Sequence, residues 1–231
     1  MSPQGYNQYC ALAHALDLVG DRWTLLIVRE LAPGPRRFTD LIDGLPGIPR
    51  NLLTERLRSL ERDGIVVRRD LPPPAARQVY ALTEDGGDLA RAISPLIGWG
   101  ARRQGKRKPD EAFHPRWPAV AMAGLADRKA AVGISENYQF HVDDFAFYFT
   151  IDDGLIEVHD GEADDAALKF STDTQTWAKL AGGTITYARA SKTGALSVEG
   201  DRKVEKRFRN IFSRGPILAH SQSNGRAKQP A

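Results

Sequence analysis

"GIPRNLLTERLRSLERDGIVVRRDLPPPAARQVYALTEDG" (47–86) decides the fold. On a helical wheel, Leu52, Leu53, Leu57 and Leu60 fall within about 140° of one another, given 3.6 residues per turn. The opposite side carries Asn51, Thr54, Glu55, Arg58 and Arg62, with Arg50 on its flank. Pro49 opens this helix at a position where its missing N–H costs nothing. Gly64 closes it as the left-handed residue beyond the C-cap. Two short β-branched and aromatic runs follow, "IVVRRD" (65–70) and "RQVYAL" (77–82), joined by "LPPPAA". They read as a hairpin with an extended, proline-stiffened tip.

Three further helices precede this segment. "ALAHALDLV" (11–19) has helical apolar spacing. "DRWTLLIVREL" (21–31) follows, with Asp21 as a capping residue and "PGP" (33–35) as its stop. "RFTDLIDGL" (37–45) is the third. After the hairpin, "TEDGGDLARAISPLIGWGARR" (83–103) begins on a Thr cap, with Gly86, Gly87 and Pro95 arguing against a regular helix throughout. Helix 37–45, a glycine-containing turn and helix 49–62 form a helix-turn-helix. An α-helix fits the major groove of DNA, and Arg, Asn and Thr suit base edges. Arg50, Asn51, Thr54 and Arg58 are therefore the candidate base readers. Arg36, Arg37, Arg68, Arg69 and Arg77 are candidate phosphate contacts, which position a protein without reading sequence.

Bulk composition is compatible with this reading. The 231 residues are 42% hydrophobic and 26% charged, enough for two domains that each bury a core. Residues 1–108 hold 17 Lys/Arg against 12 Asp/Glu, and the remainder 15 against 17. A basic half suits a polyanionic partner. The sequence has one cysteine, Cys10, which excludes an internal disulfide framework and favours a cytoplasmic location. The start lacks a signal-peptide pattern, and no apolar run approaches the ~18 residues of a membrane span, so no membrane partner is expected.

The charged segment "RRQGKRKPDEAFHPRWP" (102–118) marks a domain boundary. The expected organisation is a DNA-binding and dimerisation domain over 1–108, a linker over 109–118, a second domain over 119–212 and a flexible tail over 213–231. In the second domain a helix is expected over 119–131. Strands follow at 137–142, 145–151, 155–160, 167–172 and 195–201, with helices at 173–183 and 202–212. The whole is an α+β chain: a winged helix-turn-helix, then a small α+β domain with a mostly antiparallel five-stranded sheet.

Residues 10–100 resemble the bacterial HxlR-type winged helix-turn-helix regulators, relatives of the MarR group. The resemblance is carried by "LDLVGDRWTLLIVREL" (16–31), "RRFTDLIDGLPGIPRNLLTERLRSLERDGIVVR" (36–68) and "YALTEDGGDL" (80–89). It implies a homodimeric transcription regulator with recognition helix 49–62 and a wing at about 70–78. The first and last helices would form the dimer interface, and Trp23 would sit in the core. Pro49 departs from the family's usual small capping residue. The C-terminal half resembles the sterol carrier protein domain through "FAFYFTI" (145–151), "ALKFSTDTQTWAKLAGG" (167–183) and "KTGALSVEGDRKVEKRF" (192–208). That resemblance implies an apolar tunnel for a hydrophobic small molecule. Phe140, Phe147, Phe149, Trp177, Leu180 and Phe208 are its candidate lining, or else an ordinary core.

Cys10 precedes the first helix, where several such regulators sense oxidants. No cation adjoins it in sequence, so a buried, inert thiol stands beside the redox reading. The histidines lack metal-ligand spacing, and no nucleophile–base or phosphate-loop motif is present. No metal, cofactor or enzymatic activity is expected. "KTG" (192–194) lacks the S-x-x-K that a serine β-lactamase would need. The expected function is a dimeric regulator binding double-stranded DNA at a pseudo-palindromic operator, its recognition helices ~34–36 Å apart. The rival is a hydrophobic-ligand carrier, or a protein-interaction module, whose winged domain only dimerises.

Overall fold

The computed structural model describes residues 5–70, 78–101, 103–105, 107–108 and 110–219. The chain divides into two compact units, Met1–Ile93 and Ser94–Ala231. The division falls ahead of the boundary suggested by the charged run at 102–118.

The first unit holds α1 (Ala11–Val19), α2 (Thr24–Leu31), α3 (Phe38–Gly44), α4 (Arg50–Arg62), β1 (Val66–Asp70), β2 (Gln78–Leu82) and α5 (Glu84–Ala92). Its core gathers Ile27, Val28 and Leu31 of α2, Leu41 of α3, and Leu53, Leu57 and Leu60 of α4. Each of these side chains contributes about 1.5–3 kcal/mol by leaving water. Leu52 is only half-buried, so the apolar stripe of α4 is narrower than the wheel suggests. Asp21 does not cap α2. Trp23 holds the N-cap position at a left-handed φ of 80°, so the helix starts at Thr24. Pro49 is the N-cap of α4 and not its first helical residue.

The end of α4 matches the sequence reading closely. Gly64 has φ 73°, the Gly64 N–H donates to Glu61 O (3.2 Å) and the Ile65 N–H to Leu60 O (2.9 Å). These two bonds are the Schellman pair. β1 and β2 are antiparallel, with Arg68 opposite Tyr80 and Asp70 opposite Gln78. Thr83 caps α5: its Oγ1 accepts the Gly86 N–H (3.1 Å) and donates to Gly64 O (2.6 Å). One hydroxyl thus joins the start of α5 to the end of α4.

The second unit begins with α6 (Ser94–Ala101), which the proline at 95 separates from α5. α7 (Arg116–Leu125) follows and starts inside the segment expected as linker. A 3₁₀ turn at Arg128–Ala131 leads to β3 (Ser135–Val142), β4 (Phe145–Asp152), β5 (Leu155–Asp160) and β6 (Leu168–Thr172). Then come α8 (Thr174–Ala181), α9 (Tyr187–Lys192), β7 (Leu196–Gly200), α10 (Arg202–Ile211) and α11 (Pro216–Ala219). The sheet order is β5-β4-β3-β6-β7. Three pairings are antiparallel, and β3–β6 is parallel, so the sheet is mixed.

Alternate residues of the strands face a single core shared with the helices. Gln139 sits on the other side of β3 yet is 1% exposed. Its Nε2 donates to Phe147 O (3.1 Å) and Gly161 O (3.2 Å), and its Oε1 accepts the Ala163 N–H (2.8 Å). That amide straps down the connection that carries the chain from β5 across to β6. The segment after 212 is not a loose tail throughout. Ile217 and Leu218 are buried, and α11 contacts α7 and α8.

Candidate nucleic-acid interface

α2 and α3 hold the helix-turn-helix in shape through one buried carboxylate. Glu30 is fully buried, and Arg29 reaches its Oε1 with Nη2 (2.6 Å) and Nε (3.0 Å). The same guanidinium donates to Gly44 O at the end of α3 (3.3 Å). Leu45 and Ile48, buried in the turn, fix the approach to α4.

α4 then divides sharply. Leu53, Leu57 and Leu60 are at most 1% exposed, whereas Arg50, Asn51, Glu55, Arg58 and Arg62 are exposed. Arg50, Asn51 and Arg58 are in no ion pair among the described residues. Thr54 is half-exposed, and its Oγ1 donates to Arg50 O (2.9 Å). Arg56, between these positions, faces inward to Asp21.

The arginines proposed for phosphate separate into distinct environments. Arg37 is exposed beside Asp40 (3.9 Å). Arg69 is exposed on β1. Arg68 is held by Glu61, with Nε 3.1 Å from Oε1, and it also donates to Gln78 Oε1 (3.3 Å). The hydrogen bond to Glu61 raises the Arg68 pKa above its usual value. Its donors therefore brace α4 against the hairpin. Arg36 corrects the expectation: it is 9% exposed, its Nε donates to Glu30 O (3.3 Å), and its backbone pairs with Tyr80 in both directions (2.8 and 2.7 Å). It extends the hairpin by one bridge and is not a surface cation. Arg77 and the hairpin tip lie outside the described residues.

The unit Met1–Ile93 has 12 arginines, no lysine and 12 Asp/Glu. The excess counted over 1–108 comes from residues 102–108. What distinguishes the α4 face is the placement of its cations, not a net charge.

Cys10 is exposed, contrary to the buried reading, at the N-cap of α1. The backbone amides of Ala13 and then Leu12 lower its thiol pKa. In the second unit, Phe140, Phe147, Phe149, Trp177, Leu180 and Phe208 do come together, each at most 1% exposed. Phe140 stacks on Phe170 (4.3 Å) and Phe147 (5.0 Å) and meets Trp177 at 5.6 Å. Trp177 Nε1 donates to Pro115 O (2.9 Å). Phe170 and Phe212 share this cluster and were not among the residues expected there. The available signals were the alternation of Leu168 and Phe170 along β6 and the four-residue spacing of Phe208 and Phe212 at the end of α10. Among the described residues no helix is long and apolar enough to cross a membrane, and no group of acidic, His and Cys side chains is arranged to hold a metal.

A helix-turn-helix with a two-stranded wing and an outward arginine and asparagine face defines the class: a winged helix-turn-helix protein. Residues 18–108 match the HxlR-like helix-turn-helix family, and residues 122–213 match the SCP-2 sterol transfer family. The chain belongs to the HxlR-like family. It is 38% identical over 94 residues to the HTH-type transcriptional regulator YodB of Bacillus subtilis, covering 40% of this chain and 84% of YodB. It is 48% identical over 90 residues to an HTH-type transcriptional regulator of Mycobacterium tuberculosis, covering 39% of this chain. The chain spans about half the length of that relative, 56%. The solved structure of reduced YodB aligns at 34% identity with a TM-score of 0.37, covering 41% of this chain and 94% of YodB.

Proposed function

We propose that this chain is a dimeric transcription regulator that inserts α4 into the major groove of a pseudo-palindromic operator. The observation that carries the reading is the split of α4. Its leucines are buried, while Arg50, Asn51 and Arg58 stand exposed and outside any ion pair among the described residues. Arg50, Asn51, Thr54 and Arg58 read bases, Thr54 through its methyl against a thymine methyl, since its hydroxyl bonds Arg50 O. Arg37 and Arg69 contact phosphate, and Arg77, outside the described residues, is assigned the same role from the sequence. Arg68 keeps the hairpin in place.

A second copy is the partner for α1, where Leu12 and Leu16 are exposed one turn apart and follow the exposed Tyr9. Exposed Cys10 is the group on which an oxidant or electrophile would act. The second unit senses a hydrophobic small molecule. The SCP-2 match and the aromatic core support this, and because the rings pack on one another, entry requires that side chains be displaced. Such a ligand acts on DNA binding only through a difference in its affinity for the two arrangements. The SCP-2 match equally supports a carrier.

Selection from a random duplex pool with the full chain, followed by a gel shift, tests the reading. A regulator enriches one sequence and shifts it selectively. A carrier enriches none.

A further inference from the structure

The charges of the second unit are segregated along the chain. Residues 130–173 contain 11 acidic side chains and one basic one, Lys169, whereas residues 179–214 contain nine basic and three acidic. α10 concentrates the second group. Arg202, Lys203, Lys206, Arg209 and Asn210 are all exposed and fall within an arc of about 120°. Phe208 and Ile211, on the opposite side, are buried.

Carboxylates do not neutralise this arc. Among the described residues none of Arg202, Lys203, Lys206 and Arg209 is in an ion pair. Arg207, off the arc, is the α10 cation that Glu136 engages. Asp201 is used as the N-cap, accepting the Lys203 N–H (2.6 Å), and Glu205 accepts the Tyr187 hydroxyl (2.9 Å). Arg202 and Lys206 are four residues apart, and Lys206 and Arg209 three, spacings at which like charges repel. The arc also lines an open cleft of about 1150 Å³ beside Ala188 of α9. A polyanion laid along it would relieve the repulsion.

The chemistry of the arc selects among polyanions. A helix that lies in a bilayer surface needs an apolar side to bury. The apolar side of α10 is already used by the core, which leaves only cations and an amide outward. Arg202 to Arg209 spans about 10 Å at 1.5 Å per residue, the length of about three base pairs. We infer that the outward face of α10 binds the phosphate backbone of duplex DNA outside the base pairs that α4 reads. The inference rests on the DNA-binding reading of α4. Tethering to a sequence-reading unit supplies the duplex at high local concentration.

The test uses the full chain and its selected duplex, in a core form of about 20 base pairs, two helical turns, and in a form extended on both sides. Wild type binds the extended duplex more tightly than the core. The R202Q/K203Q/K206Q/R209Q variant loses that gain, and its salt slope on the extended duplex falls by about 3–4 for each protomer of the dimer that engages the flank, near 0.9 per phosphate contact. Between about 50 and 200 mM salt, wild type then loses roughly 100-fold more affinity than the variant for each protomer so engaged. Because Arg209 lies over Tyr187 (5.4 Å), K203Q/K206Q provides a second variant that spares the packing and shows about half the change in slope.

Four outcomes are distinct. An Arg58-dependent complex that either variant leaves unchanged in affinity and slope overturns the inference and keeps the α4 reading. A chain that selects no sequence, yet binds a mixed-sequence duplex of the extended length through these cations, keeps the inference and sinks that reading. No binding to either duplex overturns both. Vesicles of anionic phospholipid retained through these cations, with no effect on DNA, would overturn the inference in favour of a lipid surface.

Discussion

The Arg56 guanidinium of α4 lies 2.7 Å from the Asp21 carboxylate in the turn before α2. The pair fixes one side of α4 to the body of the unit while Arg58, two residues on, faces outward. Arg56 is 17% exposed and Asp21 51%, so the pair is partly screened. Asp21→Ala should lower stability by about 0.5–1 kcal/mol, an effect that shrinks in ~1 M salt. Arg56→Ala should cost about 1–2 kcal/mol, because the packed stem is lost as well. Urea titrations at low and high salt check both.

Gly86 and Gly64 are required for different reasons. A Cβ on Gly86 would lie 2.1 Å from Ile65 O, where α5 crosses the start of β1. Gly86→Ala should therefore cost about 1–3 kcal/mol or more through overpacking. Gly64 has open space but a φ of 73°, so Gly64→Ala should cost only the ~1–2 kcal/mol of a left-handed alanine. Thermal denaturation of the two variants should rank them in that order.

Gln139 closes the crossover between β5 and β6, and a Leu there would leave Gly161 O and the Ala163 N–H without their partner. Gln139→Leu should destabilise the second unit by about 1–3 kcal/mol. Hydrogen exchange should show the loss first at 161–167, while the Phe140 cluster stays protected.

Tyr138 and Tyr187 are buried, and burial, reinforced by the hydrogen bonds to Glu136 and Glu205, raises both phenol pKa values well beyond the usual range. Both phenols are neutral in the folded state, whereas the unfolded chain ionises them near pH 10. Their stabilising effect is complete below about pH 10 and is lost as pH rises above it, since the folded state then holds more protons than the unfolded one. Stability measured from pH 8 to 12 should fall above about pH 10, less steeply in Tyr187→Phe.

The parts legible in the sequence are those set by local pattern. The period of Leu53, Leu57 and Leu60 located α4, and Gly64 marked its end, because both act within one or two turns. The nearly continuous apolar run at 145–151 located β4, although its residues alternate between buried and half-buried and are not buried on both faces. Arg36 was misplaced because its burial depends on pairing with Tyr80, far along the chain. The parallel β3–β6 pairing is likewise non-local, and the strap on Gln139 depends on it. α9 has only six residues, and α11 is held by the burial of Ile217 and Leu218, so neither has enough periodicity to show itself. The sequence neighbours of Cys10 leave an inert thiol and a redox group side by side, whereas its exposure and the amides at the start of α1 are properties of the fold.

The affinity of Arg58→Ala for the selected duplex, beside wild type, tests the α4 assignment most directly. Loss of about 1–3 kcal/mol, roughly 5- to 150-fold, with relaxed preference at a single base pair, is the predicted result. Unchanged affinity and unchanged preference would contradict it.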